Sequence, residues 1–138
     1  MSIDRGSTDP DHINERLAGT MAGFLGIKIV EASLDRIVAE LEIRPEIQNG
    51  SGIAHGGTLM AFADTAGAVA TVVNLPPGAK TTTIESKTNF LAGGRAGIIR
   101  ATATPLHKGR RTMVWQTNIT DENGRLLSVT TQTQLVIV

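Results

Sequence analysis

Asp64 stands in an apolar run, with Leu59, Met60, Ala61, Phe62, Ala63, Ala66 and Ala68 around it. A carboxylate in such company is costly to desolvate unless it is hydrogen-bonded or has chemistry to perform. Upstream lie His55-Gly56-Gly57 and, before them, Asn49. Paired glycines at a helix entrance leave backbone N–H groups uncovered, so the positive end of the helix can hold an oxygen that is gaining negative charge. A carboxylate with such a site is equipment for attack on a carbonyl carbon. Plainer readings stand beside this one. Asp64 could be bonded to a Thr or Asn or lie at a subunit seam, the glycines could serve tight packing, and His55 could shape the loop through a hydrogen bond at the helix start.

Helix geometry constrains the chemical reading. Gly57 and Asp64 are seven residues apart, roughly 10 Å along a helix axis, and the free N–H groups point away from the carboxylate. One chain therefore cannot surround one carbonyl with both. Two copies with antiparallel helices across a two-fold axis can, which predicts a homodimer with two equivalent shared sites and leaves a dimer of dimers open.

The elements around this cluster are legible from periodicity. Residues 56–74 are apolar almost all round and stop at Pro76-Pro77, predicting a buried helix of about five turns. A membrane span is rejected for this stretch, because Asp64 near mid-span would cost about 2.5 to 3.5 kcal/mol and basic flanks are missing. Period-two alternation predicts strands at residues 27–33, 36–44, 80–91, 96–106, 111–120 and 125–138, with Ile37, Ala39, Leu41 and Ile43 on one face. Turn signals separate the later ones at Gly93-Gly94, Lys108-Gly109 and Asp121 to Gly124. Asp9-Pro10 reads as the cap and first position of a short N-terminal helix whose stripe is Ile13, Leu17 and Met21. Residues 1–15 are expected as a partly mobile arm and 16–138 as one domain. The fold class is α+β, an antiparallel sheet of five to six strands wrapped around one central helix.

Composition narrows the partners. The chain has 138 residues, 41% of them apolar, and its 13 basic and 13 acidic residues cancel. One Trp, three Phe and no net charge argue against nucleic acid, which needs cations and stacking platforms. The absence of cysteine excludes disulfides, thiolate catalysis and sulfur-ligated zinc. The first ten residues read as neither secretory signal nor transit peptide, so a cytoplasmic location is expected.

Asn49-Gly50-Ser51-Gly52-Ile53-Ala54-His55-Gly56-Gly57, followed after six residues by Asp64, resembles the signature of hotdog-fold acyl-CoA thioesterases of the PaaI-like (phenylacetic acid degradation) branch of the 4-hydroxybenzoyl-CoA thioesterase superfamily. The likeness extends over about residues 20 to 138. It implies that Asp64 is nucleophile or general base for thioester hydrolysis and that the Gly57 N–H polarises the carbonyl. It implies too that Asn49 positions substrate or water, that His55 holds the loop and carbonyl region, and that Thr83 assists the attacking water, with Thr82 as a competitor. No metal or redox cofactor is needed, and coenzyme A enters as part of the substrate. Its phosphates need cations, and the densest basic stretch offers Arg110 and Arg111, then Lys108. Gly56, Met60 and Phe90 are candidates for substrate contact. For Met60, Phe62 and Phe90, core packing competes with an acyl pocket, and His12 and His107 read as surface residues. Two other readings of the fold stay open: a hydratase or dehydratase acting on acyl thioesters, and an acyl-CoA sensor without turnover.

Overall fold

The computed structural model describes residues 6–138, so the first five residues of the expected arm lie outside the described residues. Asp9 caps α1 (Pro10–Leu17) by accepting the Asp11 N–H at 3.1 Å, with Pro10 in the first turn. The expected stripe does not continue into one helix. Gly19 turns the chain in a left-handed conformation (φ 78°), and Thr20 caps a second helix, α2 (Met21–Leu25). Restarting the helix changes its phase: Ile13 is buried, whereas Met21 is 66% exposed. Asn14 fastens α1 to the sheet, donating to the Ile29 carbonyl at 2.9 Å and accepting the Ile29 N–H at 2.8 Å.

Six strands form one antiparallel sheet: β1 (Lys28–Ala32), β2 (Ile37–Glu42), β3 (Lys80–Phe90), β4 (Ile98–Lys108), β5 (Thr112–Thr120) and β6 (Leu126–Ile137). Their order is β1-β2-β4-β5-β6-β3, so β3 is an edge strand. The long helix α3 (Gly56–Val72) packs against β2 through β6, the expected sheet around a central helix. Small residues allow the close approach. Ala63, Ala66 and Ala70 are fully buried with Phe62, facing Ile37, Ala39, Ile99, Ala101 and Trp115 in the same core. The Trp115 Nε1–H donates to Thr71 Oγ1 at 2.9 Å, and that hydroxyl donates to the Gly67 carbonyl at 2.9 Å. Among the described residues no helix is long and apolar enough to cross a membrane.

One part of the interior is polar. A bulge at Ile84 rephases β3, putting Thr83 opposite Gln134 and Ser86 opposite Gln132. In β6 the buried face carries Ser128, Thr130, Gln132 and Gln134 before Val136, while Val129 and Leu135 on the other face are only half-buried. Asp64 meets the sheet here.

Candidate active site

Residues 48–55 form a tight loop feeding α3. Asn49 closes it: its N–H donates to the Ile53 carbonyl at 2.8 Å, and its Oδ1 accepts the Ser51 N–H at 2.9 Å. Gly52 takes the positive φ of 75° that the turn requires. The Asn49 side-chain oxygen is thus engaged in shaping the loop.

His55 caps α3. Its Nδ1 accepts the Gly57 N–H at 2.8 Å, so the neutral ring carries its hydrogen on Nε2. Thr58 Oγ1 ties the first turn back to the Ile47 carbonyl at 3.1 Å. Both glycines are spatially constrained. A Cβ on Gly56 would come within 3.3 Å of the Phe90 ring, and one on Gly57 within 3.0 Å of His55 Nδ1. His55 and Gly57 are exposed to solvent, so the helix entrance is open. Replacing His55 by Ala removes a cap and lowers stability by about 1 kcal/mol, read as a lower denaturant midpoint with an unchanged slope. An unchanged midpoint would show that the Nδ1 bond contributes nothing.

Asp64 lies half-buried on the helix face turned to β3 and β6. Its Oδ1 accepts from Thr83 Oγ1 at 2.7 Å and from Gln132 Nε2 at 3.1 Å. Gln132 Nε2 also donates to Gln134 Oε1 at 3.1 Å, and Gln134 Nε2 donates to Thr81 Oγ1 at 3.1 Å. Thr83 Oγ1 lies against Gln134 Oε1 as well. Asp64 Oδ2 has no hydrogen-bond partner among the described residues. Thr83 is thereby brought to the carboxylate, whereas Thr82 points outward and is exposed.

Asp64 also lines a cavity of about 520 Å³ between α3 and the α1–α2 pair. Ile13, Leu17, Ala22, Ala68, Val69 and Val72 make its apolar walls, and His12, Glu15 and Arg16 of α1 add polar groups. The only signal for this wall in the sequence is the helix start at Asp9-Pro10, which carries no mark of a cavity. Met60, Phe62 and Phe90 do not line it. Phe62 is fully buried in the core, and Phe90, 53% exposed, covers Gly56 at the helix start.

The basic stretch divides. Lys108 Nζ bonds Asp35 Oδ1 at 2.6 Å and reaches the Leu34 carbonyl at 3.3 Å and Asn74 Oδ1 at 3.4 Å, joining the β1–β2 turn to the residues after α3. Its three hydrogens are committed there. Arg110 and Arg111 are exposed in the β4–β5 turn, with no ion pair among the described residues. His107 is exposed, as is His12, although His12 borders the cavity.

A sheet around one helix, with a carboxylate in mid-helix and glycines at its start, defines a hotdog-fold thioesterase architecture. A sequence profile of the thioesterase superfamily matches residues 51–128, and the chain belongs to that family. It is 32% identical over 105 residues to the 1,4-dihydroxy-2-naphthoyl-CoA hydrolase of Listeria monocytogenes, covering 76% of this chain and 85% of that protein. A thioesterase of Haemophilus influenzae superposes with a TM-score of 0.92 at 29% identity, over 99% of this chain and 95% of that one. The Escherichia coli PaaI protein from the phenylacetic acid degradation operon superposes with a TM-score of 0.79 at 26% identity, over 94% and 97%.

Proposed function

We propose that the protein hydrolyses an acyl- or aryl-coenzyme A thioester to the free acid and coenzyme A. The observation that carries this reading is Asp64, held by Oδ1 while Oδ2 is unpartnered, on the wall of an apolar cavity. The carboxylate takes a proton from a water that attacks the thioester carbon, or attacks that carbon itself to give a mixed anhydride that water then cleaves to the free acid and the regenerated carboxylate. The carbonyl oxygen becomes negative as the new bond forms, the C–S bond breaks, and the thiolate leaves as coenzyme A. Thr83 holds the carboxylate. The cavity takes the acyl or aryl group, and its volume lies in the range of small-molecule pockets. Arg110 and Arg111 are proposed to meet the coenzyme A phosphates.

The developing oxyanion belongs at the positive end of α3, on the Gly57 amide. In the free chain that amide hydrogen is held by His55 Nδ1. A carbonyl oxygen gaining charge is the stronger acceptor, and the exposed His55 ring can turn aside to release the amide. Asn49 acts through the loop it closes.

A second copy completes the site. Asp64 is beside Thr83 in mid-β3, and Gly56 is beside Phe90 at the end of β3. Two β3 edges pairing antiparallel about a dyad between those points bring Asp64 of each copy toward Gly57 of the other. The same pairing covers the open edge of the sheet. The reaction is tested with a panel of acyl- and aryl-CoA thioesters and a thiol-reactive dye. Thiol release from at least one medium-sized acyl or aryl member is expected. Binding across the panel without release would refute hydrolysis.

A further inference from the structure

Gln132 is a long polar side chain with no solvent exposure, set between β6 and α3. Its amide nitrogen is fully used, giving one hydrogen to Asp64 Oδ1 and the other to Gln134 Oε1. Its amide oxygen is buried and has no partner. A buried acceptor left unsatisfied destabilises the fold, so an apolar residue of the same length would serve packing better. The helix also makes room for it. A Cβ on Gly67 would sit 2.3 Å from Gln132 Oε1, and glycine inside a helix is itself unfavourable. Two local costs thus converge on one contact, the amide hydrogen delivered to Asp64.

Resting on the hydrolytic reading above, we propose that Gln132 is a positioning residue for Asp64, oriented by Gln134 and admitted by Gly67. Turning the Gln132 amide over would set its oxygen against the carboxylate, and Gln134 Oε1 opposes that turn by accepting the second hydrogen. Gln134 is itself tethered through Nε2 to Thr81. Thr83 and Gln132 approach the same carboxylate oxygen from β3 and β6, leaving Oδ2 as the oxygen that meets water or the thioester carbon.

Gln132→Met keeps the length of the side chain and removes both the donor and the orphaned acceptor. The expected result is a kcat lower by roughly ten- to a hundredfold, KM within about twofold, and a Tm equal to or above that of the parent. A glutamine with a merely structural role would show the reverse, a lower Tm with kcat retained, and that result overturns the proposal. Should the Met variant not fold, Gly67→Ala decides. It lowers kcat in the parent by crowding Gln132 and has no effect on kcat in a Gln132→Ala background; an equal loss in both backgrounds overturns the proposal. The carboxyl-carbon NMR resonance of Asp64 reads the contact without turnover. It shifts in Gln132→Met whether or not any thioester is cleaved, so a parent protein inactive on every thioester refutes the hydrolytic reading alone, whereas an unmoved resonance refutes this one.

Discussion

Asp64→Asn lowers kcat about a thousandfold with the fold intact. The substitution keeps the shape of the side chain, and an amide oxygen in place of Oδ1 can still accept from Thr83 and Gln132. What disappears is the negative charge and basicity of the second oxygen, the feature needed to take a proton from water or to attack the thioester carbon. Binding depends on the cavity walls and on the cations that meet the phosphates, so KM changes little. Steady-state thiol release on the best substrate of the panel measures both constants. An Asn variant with parental kcat would remove Asp64 from the chemistry.

Trp115→Ala is the corresponding prediction for the scaffold. Trp115 is fully buried on β5, and its indole N–H fastens the sheet to α3 through Thr71. Truncation opens a large cavity and takes a donor from a buried hydroxyl, which together cost about 3 to 5 kcal/mol. Domains of this kind have roughly 5 to 15 kcal/mol in total, so the variant loses a large share of its stability. Trp115 is the single tryptophan, so unfolding is followed by far-ultraviolet circular dichroism. A denaturant midpoint indistinguishable from the parent would show that the helix is held by other contacts. Trp115→Phe keeps much of the volume and loses less.

Much of the fold was legible because its strongest signals are local. Most of the run that stops at Pro76-Pro77 forms α3, which ends at Val72, and the alternation of Ile37, Ala39 and Leu41 faces the core. The N-terminal helix was harder. Ile13, Leu17 and Met21 recur every four residues, yet Gly19 and the Thr20 cap break the ladder between the second and third. β6 carries the opposite lesson. Its apolar side chains Val129 and Leu135 suggest one inward face, but the alternating buried set is the other one, Ser128, Thr130, Gln132, Gln134 and Val136. Alternation reveals the two faces of a strand and not which of them a polar helix residue will require. Within the polar stripe under α3, Gln132 meets Asp64 in a tertiary pairing across 68 positions that no local pattern announces. Sequence brought Asp64, His55, Gly57 and Thr83 to attention. It did not show that the Gly57 amide is already bonded to His55 or that Lys108 is committed to Asp35.

The central claim, that a carboxylate from one copy works with the helix start of another, is tested most directly by mixing two inactive variants. Asp64→Asn removes the carboxylate, and Gly57→Val covers the helix entrance with a branched side chain. If the sites are shared, a mixed dimer contains one site with both changes and one with neither. Random reassortment of equal amounts then makes half the dimers mixed and restores about a quarter of the parental activity. Confirmed exchange of subunits with no recovered thiol release would contradict the account.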